Sequence, residues 1–308
     1  MSSSADGGSK ARVALSVSSF GAAGPEPLDE LRSAGVEILE NPHGRKLSED
    51  EVAELVRDAD GVIAGTEPLT EAVFEQCTRL RVISRVGVGM DNVDLAAAER
   101  RGIAVCNTPD AVTDAAAELA LGGMLSALRH LSEMDAELRA GRWTRKMGAL
   151  LRGKTVGIVG LGRVGHRVAA LLAPFEPRLL GHDVVQVEDF AGEQVTLDEL
   201  LSRSDVVTLH VSGGGQLIGR DELAAMKPGA VLVNAARGGL VDEEALHEAL
   251  TEGHLAGAYL DVFAKEPYEG PLTELPNVLL TPHAGSYARE ARALMEQEAV
   301  RNLLEKLS

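Results

Sequence analysis

Cysteine is almost missing from this chain, which has only Cys77 and Cys106 among its 308 residues. Neither cysteine belongs to a CxxC pair, so the sequence suggests neither a disulfide framework nor a structural zinc site, and no metal site is predicted. Two isolated thiols fit a reducing compartment, and we therefore expect a cytoplasmic protein.

Basic residues are also few. The chain has 30 lysines and arginines against 47 aspartates and glutamates, which gives a formal net charge of −17. This charge disfavours general attraction to nucleic acid or to an anionic membrane, so neither is expected as a partner. A bound anion must therefore be held by particular arginines and backbone amides.

Long apolar runs are missing as well. The longest, around residues 115–128, contains Glu118 and lies next to Asp114 and Arg129, so it is short and charged for a membrane span. The N-terminal segment MSSSADGGSK has no apolar core, so it is not expected to be a signal peptide. We predict that residues 1–10 form a mobile tail.

The first half of the chain alternates short apolar strands with helical patterns. Five strands are predicted in the segments RVALSV, VEIL, GVIAG, RVIS and IAVC, with helices between them. The helix at Ser48 begins with the order Ser, x, x, Glu of a capping box, with Glu51 in the fourth position. Strands interleaved with helices predict a parallel sheet covered on both faces, which is an α/β fold.

A long helix, predicted over roughly residues 111–140, separates this half from a second alternating series. The second series contains six or seven strands, the size of a dinucleotide-binding domain. We therefore predict two doubly wound parallel-sheet domains, one over residues 1–106 and one over 107–285. The helical segment 286–308 is too short to stand alone and is expected to complete the first domain.

Glycines with GxGxxG spacing, Gly160, Gly162 and Gly165, follow the first strand of the second series. They permit a tight turn, a close approach to a pyrophosphate and close packing of the next helix. The following strand ends in Asp183, eighteen residues after Gly165, where a carboxylate can accept hydrogen bonds from ribose hydroxyls. This carboxylate would repel a 2′-phosphate, so NAD is predicted rather than NADP. A glycine turn without a ligand is the alternative.

Charged side chains also follow the predicted strands, at the sheet edge where open parallel sheets bind ligands. Taken singly, Arg237 is more often an ion-pair partner, Glu266 a loop carboxylate and His283 a structural histidine. Together, beside a dinucleotide site, they suit reduction of a 2-keto acid. The arginine can bind the substrate carboxylate through two parallel hydrogen bonds, and the histidine can donate a proton to the carbonyl oxygen. The glutamate, paired with the other ring nitrogen, would fix the tautomer.

Ordered motifs from about residue 60 to 300 resemble those of the D-isomer-specific 2-hydroxy-acid dehydrogenases, and within that family the D-3-phosphoglycerate dehydrogenases. The motifs are RVGVGMDNVDL, CNTPDAVTDAAAELALGGML, GKTVGIVGLGRVG, SDVVTLHV, MKPGAVLVNAARGGLVDEEAL, GHLAGAYLDVFAKEP and LPNVLLTPHAG. The resemblance implies an NAD-dependent oxidoreductase with a flavodoxin-like substrate-binding domain and a Rossmann NAD-binding domain.

The resemblance also implies roles for individual residues. The catalytic set carries over to Arg237, Glu266 and His283. Cofactor contacts are implied or expected for Gly160, Gly162, Arg163, Val164, Gly165, Asp183, His210, Val211, Ala235, Ala236, Arg237, Asp261, His283 and Gly285. For His210 and Asp261, capping of a strand end is an equally good interpretation. Substrate contacts are implied for Arg85, Val86, Gly87, Val88, Gly89 and Arg237. A homodimer formed through the helix at 111–140 is implied as well.

Three departures from the family pattern leave the substrate open. Ala64 and Gly65 stand where phosphoglycerate-specific relatives often have an arginine, and the loop after His210 is short. The chain also stops after its last helix, so regulatory domains and feedback by serine are not expected. The resemblance implies a small anionic acid as substrate, similar to 3-phosphoglycerate, to glyoxylate or hydroxypyruvate, or to a phosphonate analogue. Arg85 and Arg145 are the candidates for binding a distal anion, and an NAD-sensing scaffold related to corepressors is the alternative function.

Overall fold

The computed structural model describes residues 10–109, 111–213 and 215–308. The mobile tail predicted for residues 1–10 lies outside the described residues except for Lys10. Among the described residues, no helix combines the length and the apolar character that crossing a membrane requires.

The first compact unit comprises the described residues of Met1–Val112 and Tyr287–Ser308. Its strands are β1 (Arg12–Leu15), β2 (Glu37–Glu40), β3 (Gly61–Ala64), β4 (Val82–Arg85) and β5 (Ala104–Cys106). They form a parallel sheet in the order β2-β1-β3-β4-β5, which is the flavodoxin-like order. All four residues of β3 are buried, as expected for a central strand whose two faces are both covered.

Four short helices connect these strands: α1 (Glu26–Ser33), α2 (Glu49–Val56), α3 (Glu71–Glu75) and α4 (Leu95–Arg100). Polar side chains fix where three of them begin, because each accepts a hydrogen bond from a backbone amide of the first turn. Ser48 forms the predicted capping box with Glu51, while Thr70 and Asp94 cap α3 and α4.

The C-terminal helix (Arg289–Leu307) packs on the sheet of this unit. Its buried residues Met295, Ala299 and Leu303 share one apolar cluster with Ile63 and Val82 of the central strands. Burial of each large apolar side chain contributes about 1.5–3 kcal/mol relative to exposure, which is enough to hold a single helix against the sheet.

The second compact unit is Thr113–Ser286. Its strands are β6 (Thr155–Val159), β7 (Arg178–His182), β8 (Glu193–Gln194), β9 (Val206–Leu209), β10 (Ala230–Asn234), β11 (Leu255–Leu260) and β12 (Val278–Leu280). All are parallel, in the order β12-β11-β10-β9-β6-β7-β8 of a doubly wound dinucleotide-binding sheet. The predicted α/β class with two parallel sheets is confirmed.

The described part of the second unit contains six helices: α5 (Thr113–Arg129), α6 (Leu131–Arg139), α7 (Arg163–Leu172), α8 (Leu197–Arg203), α9 (Arg220–Ala225) and α10 (Glu243–Thr251). Two short 3₁₀ helices lie at Ala173–Phe175 and Pro271–Glu274. The core between the helices and the sheet has two apolar clusters, one on each face of the sheet. Successive side chains of each strand point into the two clusters in alternation.

The prediction of one continuous helix over residues 111–140 is wrong. The helical pattern is interrupted at His130, whose backbone is left-handed with φ of 52°. The carbonyl of Leu128 accepts a hydrogen bond from the amide of Ala149 at 2.9 Å, instead of continuing the helical ladder. Gly148 allows this approach, since a Cβ there would lie 2.6 Å from the same carbonyl oxygen.

Candidate active site

The carboxyl ends of the strands in the second unit carry most of the residues predicted from the sequence. Because these strands are parallel, their ends lie along one edge of the sheet, where open α/β sheets bind ligands. The residues following the strand ends are Gly160 after β6, Asp183 after β7, His210 after β9, Ala235, Ala236 and Arg237 after β10, Asp261 after β11 and Thr281 after β12.

The glycine loop between β6 and α7 leaves space for a ligand at one glycine and none at the other two. A Cβ on Gly160, whose φ is 93°, would lie 2.7 Å from the carbonyl oxygen of His210 and 2.8 Å from the amide nitrogen of Val211. A Cβ on Gly165 would lie 2.0 Å from the carbonyl oxygen of Gly160. At Gly162 a Cβ would have no atom within 4 Å, so this glycine is not required by the protein's own packing.

Helix α7 begins directly after this loop, with Gly162 as its N-cap residue and Arg163, Val164 and Gly165 in its first turn. A glycine cap has no side chain to bond the first amides of the helix. A helix N-terminus of this kind presents backbone amides and a positive dipole end, which suit a phosphate group.

The carboxylate of Asp183 is fixed beside the glycine loop. Its Oδ2 accepts a hydrogen bond from the amide of Leu161 at 2.7 Å, and its Oδ1 accepts one from the amide of Val185 at 3.3 Å. The carboxylate therefore links the end of β7 to the turn after β6. A glycine with open space, a helix N-terminus and an anchored carboxylate fit the pyrophosphate and ribose of NAD.

The turn after β10 is shaped by Asn234, which is buried. Its Oδ1 accepts a hydrogen bond from the amide of Ala236 at 3.1 Å, and its Nδ2 donates to the carbonyl of Arg237 at 3.0 Å. The guanidinium of Arg237 donates from Nη1 to the carbonyl of Ala236 at 2.7 Å. The amide side chain thus presents residues 235–237 in one defined conformation at the sheet edge.

The turn after β12 places His283 in a left-handed conformation, with φ of 53°. Asp261, which is fully buried, holds this turn. Its carboxylate accepts hydrogen bonds from the amides of Ala284 at 2.7 Å and Gly285 at 2.8 Å, and its backbone carbonyl accepts one from the amide of His283 at 2.8 Å. The side chain of Asp261 therefore acts on the turn that carries His283.

The pairing of His283 with Glu266 expected from the sequence is present. Nδ1 of His283 lies 2.8 Å from Oε2 of Glu266, and Oε1 of Glu266 accepts a hydrogen bond from the amide of Phe263 at 3.1 Å. A carboxylate can only accept, so Nδ1 of the ring carries a hydrogen. The second nitrogen, Nε2, is then the one that can exchange a proton, and the half-exposed ring allows a substrate to reach it.

His210 differs from His283 in its environment. Burial lowers the pKa of His210 to about 4, so its ring is neutral at neutral pH. Its Nε2 lies 2.9 Å from the hydroxyl of Thr208, and its backbone packs against Gly160. These contacts suit a structural role beside the glycine loop and do not suit proton transfer.

In the first unit, the predicted substrate loop follows β4 as Arg85, Val86, Gly87, Val88 and Gly89. Gly87 has a φ of 140°, and a Cβ there would lie 1.6 Å from Nη1 of Arg85, so the guanidinium lies over the glycine. The same Nη1 donates to the carbonyl of Val86 at 2.8 Å. Thr108 accepts from the amide of Gly87 at 2.8 Å. The loop is therefore held in shape by its own arginine and by a threonine that the sequence did not indicate.

Glu67 was also missed by the sequence analysis, although it lies at the carboxyl end of β3. Its side chain is buried and accepts hydrogen bonds from the hydroxyl of Ser16 and from the amide of Gly65, the latter at 2.8 Å. Its backbone carbonyl accepts one from Asn92 at 2.7 Å. A polar residue shortly after a predicted strand was the available signal.

Comparison with known proteins agrees with this architecture. Residues 121–285 match the family model for the NAD binding domain of D-isomer specific 2-hydroxyacid dehydrogenases. The chain is 41% identical over 281 residues to a D-3-phosphoglycerate dehydrogenase of Methanocaldococcus jannaschii, an alignment that covers 86% of this chain and 53% of the relative. It is 38% identical over 298 residues to a glyoxylate reductase of Korarchaeum cryptofilum, covering 89% of this chain and 90% of that protein.

A solved structure is also similar over nearly the whole chain. The TT0316 protein from Thermus thermophilus superposes with a TM-score of 0.89 at 40% identity, covering 96% of each chain. The chain thus spans about half the length of the phosphoglycerate dehydrogenase that it matches and nine-tenths of the glyoxylate reductase.

Fold, glycine loop and sequence matches together define a dehydrogenase with an NAD-binding domain. The chain belongs to the D-isomer-specific 2-hydroxyacid dehydrogenase family. The family, the enzyme class and the cofactor predicted from the sequence are thereby confirmed. The roles of the individual site residues stay predictions.

Two alanine substitutions in the glycine loop test how the cofactor is held. Gly165→Ala inserts a methyl group against the backbone of Gly160, so we expect a loss of about 1–3 kcal/mol in the free energy of unfolding. Gly162→Ala meets no protein atom, so stability should be unchanged while the dissociation constant for NADH rises at least about tenfold. Urea denaturation and quenching of NADH fluorescence measure the two effects. Wild-type affinity of Gly162→Ala for NADH would contradict the assignment of the pyrophosphate to the glycine loop.

Proposed function

We propose that this protein transfers a hydride between the nicotinamide of NAD and C2 of a small anionic D-2-hydroxy acid or 2-keto acid. The observation that carries this proposal is the contact of His283 with Glu266, on the same sheet edge as the glycine loop, in a chain of the 2-hydroxyacid dehydrogenase family. NAD, when bound, supplies the hydride acceptor or donor.

The second unit supplies the residues that hold the cofactor. We assign the pyrophosphate to the glycine loop and the first turn of α7, and the ribose hydroxyls to Asp183. Further contacts are proposed for the backbone segments next to this edge: His210, Val211, Ala235, Ala236, Arg237, Asp261, His283 and Gly285. The support is their common position after parallel strands.

His283 is the proposed acid and base. During reduction its Nε2–H donates a proton to the carbonyl oxygen of the keto acid, and during oxidation the neutral Nε2 accepts the hydroxyl proton. Glu266 supports both steps, since its carboxylate accepts a hydrogen bond from Nδ1 at 2.8 Å and so fixes the tautomer that leaves Nε2 facing the substrate proton.

Arg237 is proposed to bind the substrate carboxylate. A guanidinium can donate two parallel hydrogen bonds to a carboxylate and so fixes both the position and the rotation of the acid. Asn234 supports this role, because its side chain forms hydrogen bonds with the backbone of Ala236 and Arg237 and so fixes the position of the arginine. The loop of Arg85, Val86, Gly87, Val88 and Gly89 is proposed as a second element of substrate binding.

Among the candidate substrates we favour glyoxylate or hydroxypyruvate over acids with a distal phosphate or phosphonate. The turn after β3 contains no basic residue, and its buried carboxylate, Glu67, adds negative charge next to the strand that precedes the RVGVG loop. Arg85 already donates to the carbonyl of Val86 within this loop. A glyoxylate reductase also matches this chain over nine-tenths of its length.

A second copy of the chain is the proposed partner, through the helical region at residues 111–140. Leu131, Leu138 and Trp143 in and after this region are 50%, 57% and 82% exposed, which is unusual for large apolar side chains of one region. We also propose a cytoplasmic location, which suits the free thiols Cys77 and Cys106.

Removal of the imidazole tests the proposed acid. His283→Ala should lower kcat for keto-acid reduction at least about 100-fold, because no other group then donates the proton, while NADH still binds. The matched control is His247→Ala on α10, which should keep wild-type rates. Steady-state kinetics and NADH binding provide the measurements, and undiminished turnover of His283→Ala would remove this histidine from the mechanism.

Substitution of the arginine tests carboxylate binding. Arg237→Lys keeps the charge but loses the two parallel hydrogen bonds, so KM for the keto acid should rise at least about tenfold and kcat should fall. Arg220→Lys, which changes an exposed arginine paired with Glu248 on α9 and α10, is the control. Kinetic constants equal to those of the wild type would refute the role of Arg237.

Substrate choice is tested by NADH oxidation with glyoxylate, hydroxypyruvate, 3-phosphohydroxypyruvate and phosphonopyruvate under identical conditions. We expect the highest kcat/KM with glyoxylate or hydroxypyruvate, because the β3 edge offers no cation for a second anion. A preference for either acid with a distal phosphorus group would overturn the choice of substrate. Failure of all four acids would favour an NAD-sensing scaffold.

A further inference from the structure

We propose that Tyr259 and Thr281 are positioning residues, which form a chain of hydroxyl groups that orients the carboxylate of Asp261 and through it the turn that carries His283. This inference rests on the proposed function of His283. Neither hydroxyl is part of the glycine loop or of the Arg237, Glu266 and His283 set.

The hydrogen bonds from Tyr259 through Thr281 to Asp261 are continuous and lie inside the second unit. The hydroxyl of Tyr259 lies 2.9 Å from the hydroxyl of Thr281, which donates to Oδ1 of Asp261 at 2.5 Å. Tyr259 belongs to β11, and Thr281 directly follows β12, where its amide donates to the carbonyl of Leu260 at 3.0 Å. The pairing of two neighbouring parallel strands therefore sets the spacing of the hydroxyls.

The direction of the chain follows from the chemistry of its members. An ionised aspartate accepts hydrogen bonds only, so the hydroxyl of Thr281 donates to Asp261, and the phenol of Tyr259 then donates to Thr281. Burial, chiefly, raises the pKa of Tyr259 to about 12, so the phenol keeps its proton throughout the working pH range. Each donor in the chain points toward the turn.

Packing also restricts the phenol of Tyr259. Tyr259 is fully buried, and a Cβ on Gly123 of α5 would lie only 1.9 Å from Cδ1 of its ring. Gly123 therefore makes room for this aromatic ring against the helix. The phenol is therefore confined on one side by the helix and on the other by Thr281.

The same carboxylate that receives the hydroxyl chain holds the catalytic turn. Oδ1 of Asp261 accepts from Thr281 and from the amide of Ala284, while Oδ2 accepts from the amide of Gly285. Without the hydroxyl of Thr281, one of these three donors is lost and Oδ1 retains only the amide of Ala284. The left-handed backbone at His283, an uncommon conformation for a residue with a Cβ, would then be held less firmly.

The test compares Thr281→Val, which removes the hydroxyl at nearly constant shape, with Thr281→Ser, which retains it. Without added cofactor, hydrogen exchange of the amides of Ala284 and Gly285 should rise about tenfold in Thr281→Val and stay at the wild-type level in Thr281→Ser. In turnover, Thr281→Val should lower kcat about tenfold with little change in KM, because a misplaced imidazole impairs the chemical step more than binding. Thr281→Ser should restore kcat.

Two further variants keep the test decisive. Tyr259→Phe removes only the outer hydroxyl, so the rise in hydrogen exchange and the fall in kcat should both be smaller than in Thr281→Val. This variant tests the proposal even where Thr281→Val does not fold. Thr273→Val, which removes a hydroxyl bonded to the carbonyl of Gly270, is the control and should change neither readout.

Wild-type exchange at residues 284 and 285 in both Thr281→Val and Tyr259→Phe would overturn the positioning role. Faster exchange with unchanged kcat would overturn its connection to His283. Absence of keto-acid reduction by the wild type would instead refute the proposed function, and the exchange result would still report on the turn.

Discussion

The carboxylate of Asp261 is the group on which the arrangement of the proposed catalytic edge depends. A buried carboxylate is stable only when its oxygens accept hydrogen bonds, and here the turn of His283 and the hydroxyl of Thr281 provide the donors. The left-handed backbone at His283 costs about 1–3 kcal/mol. Each hydrogen bond to a charged group contributes about 1.5–3 kcal/mol, so three of them outweigh that cost and the turn is retained.

Parallel strands and short approaches of the backbone bring residues that are distant in the chain to this edge. Gly160 and His283 are separated by more than one hundred residues, yet both follow strands of one sheet whose neighbours are all parallel. The glycines secure the register locally, since any side chain on Gly160 or Gly165 would collide with main-chain atoms. Contacts within the chain thus require glycine at positions 160 and 165. At Gly162 they do not, and a bound ligand is the reason that we propose for this glycine.

Local patterns predicted the elements, and contacts between distant residues decided what could not be predicted. Apolar runs indicated the strands other than β8, which consists of the polar pair Glu193–Gln194, and Ser48 with Glu51 indicated a helix start, because both signals lie within a few residues. The break at His130 was missed, and beside it the carbonyl of Leu128 accepts a hydrogen bond from the amide of Ala149, twenty-one residues later, a contact that no local pattern indicates. In the site, the glycine loop and the pairing of Glu266 with His283 could be predicted, because both lie in recognisable sequence motifs. The hydrogen-bond partners of the Thr281 hydroxyl could not be predicted, because they lie on a neighbouring strand about twenty residues away in the sequence.

The net charge of −17 and the expected binding of two anions, the pyrophosphate and the substrate carboxylate, are compatible because electrostatic interactions are local. At physiological ionic strength the screening length is about 8 Å, so most of the acidic surface contributes little at the sheet edge. The groups proposed to act there are the N-terminus of α7 for the pyrophosphate and the guanidinium of Arg237 for the substrate carboxylate. The global charge therefore disfavours polyanionic partners, while the N-terminus of α7 and Arg237 are the groups proposed to bind the small anions.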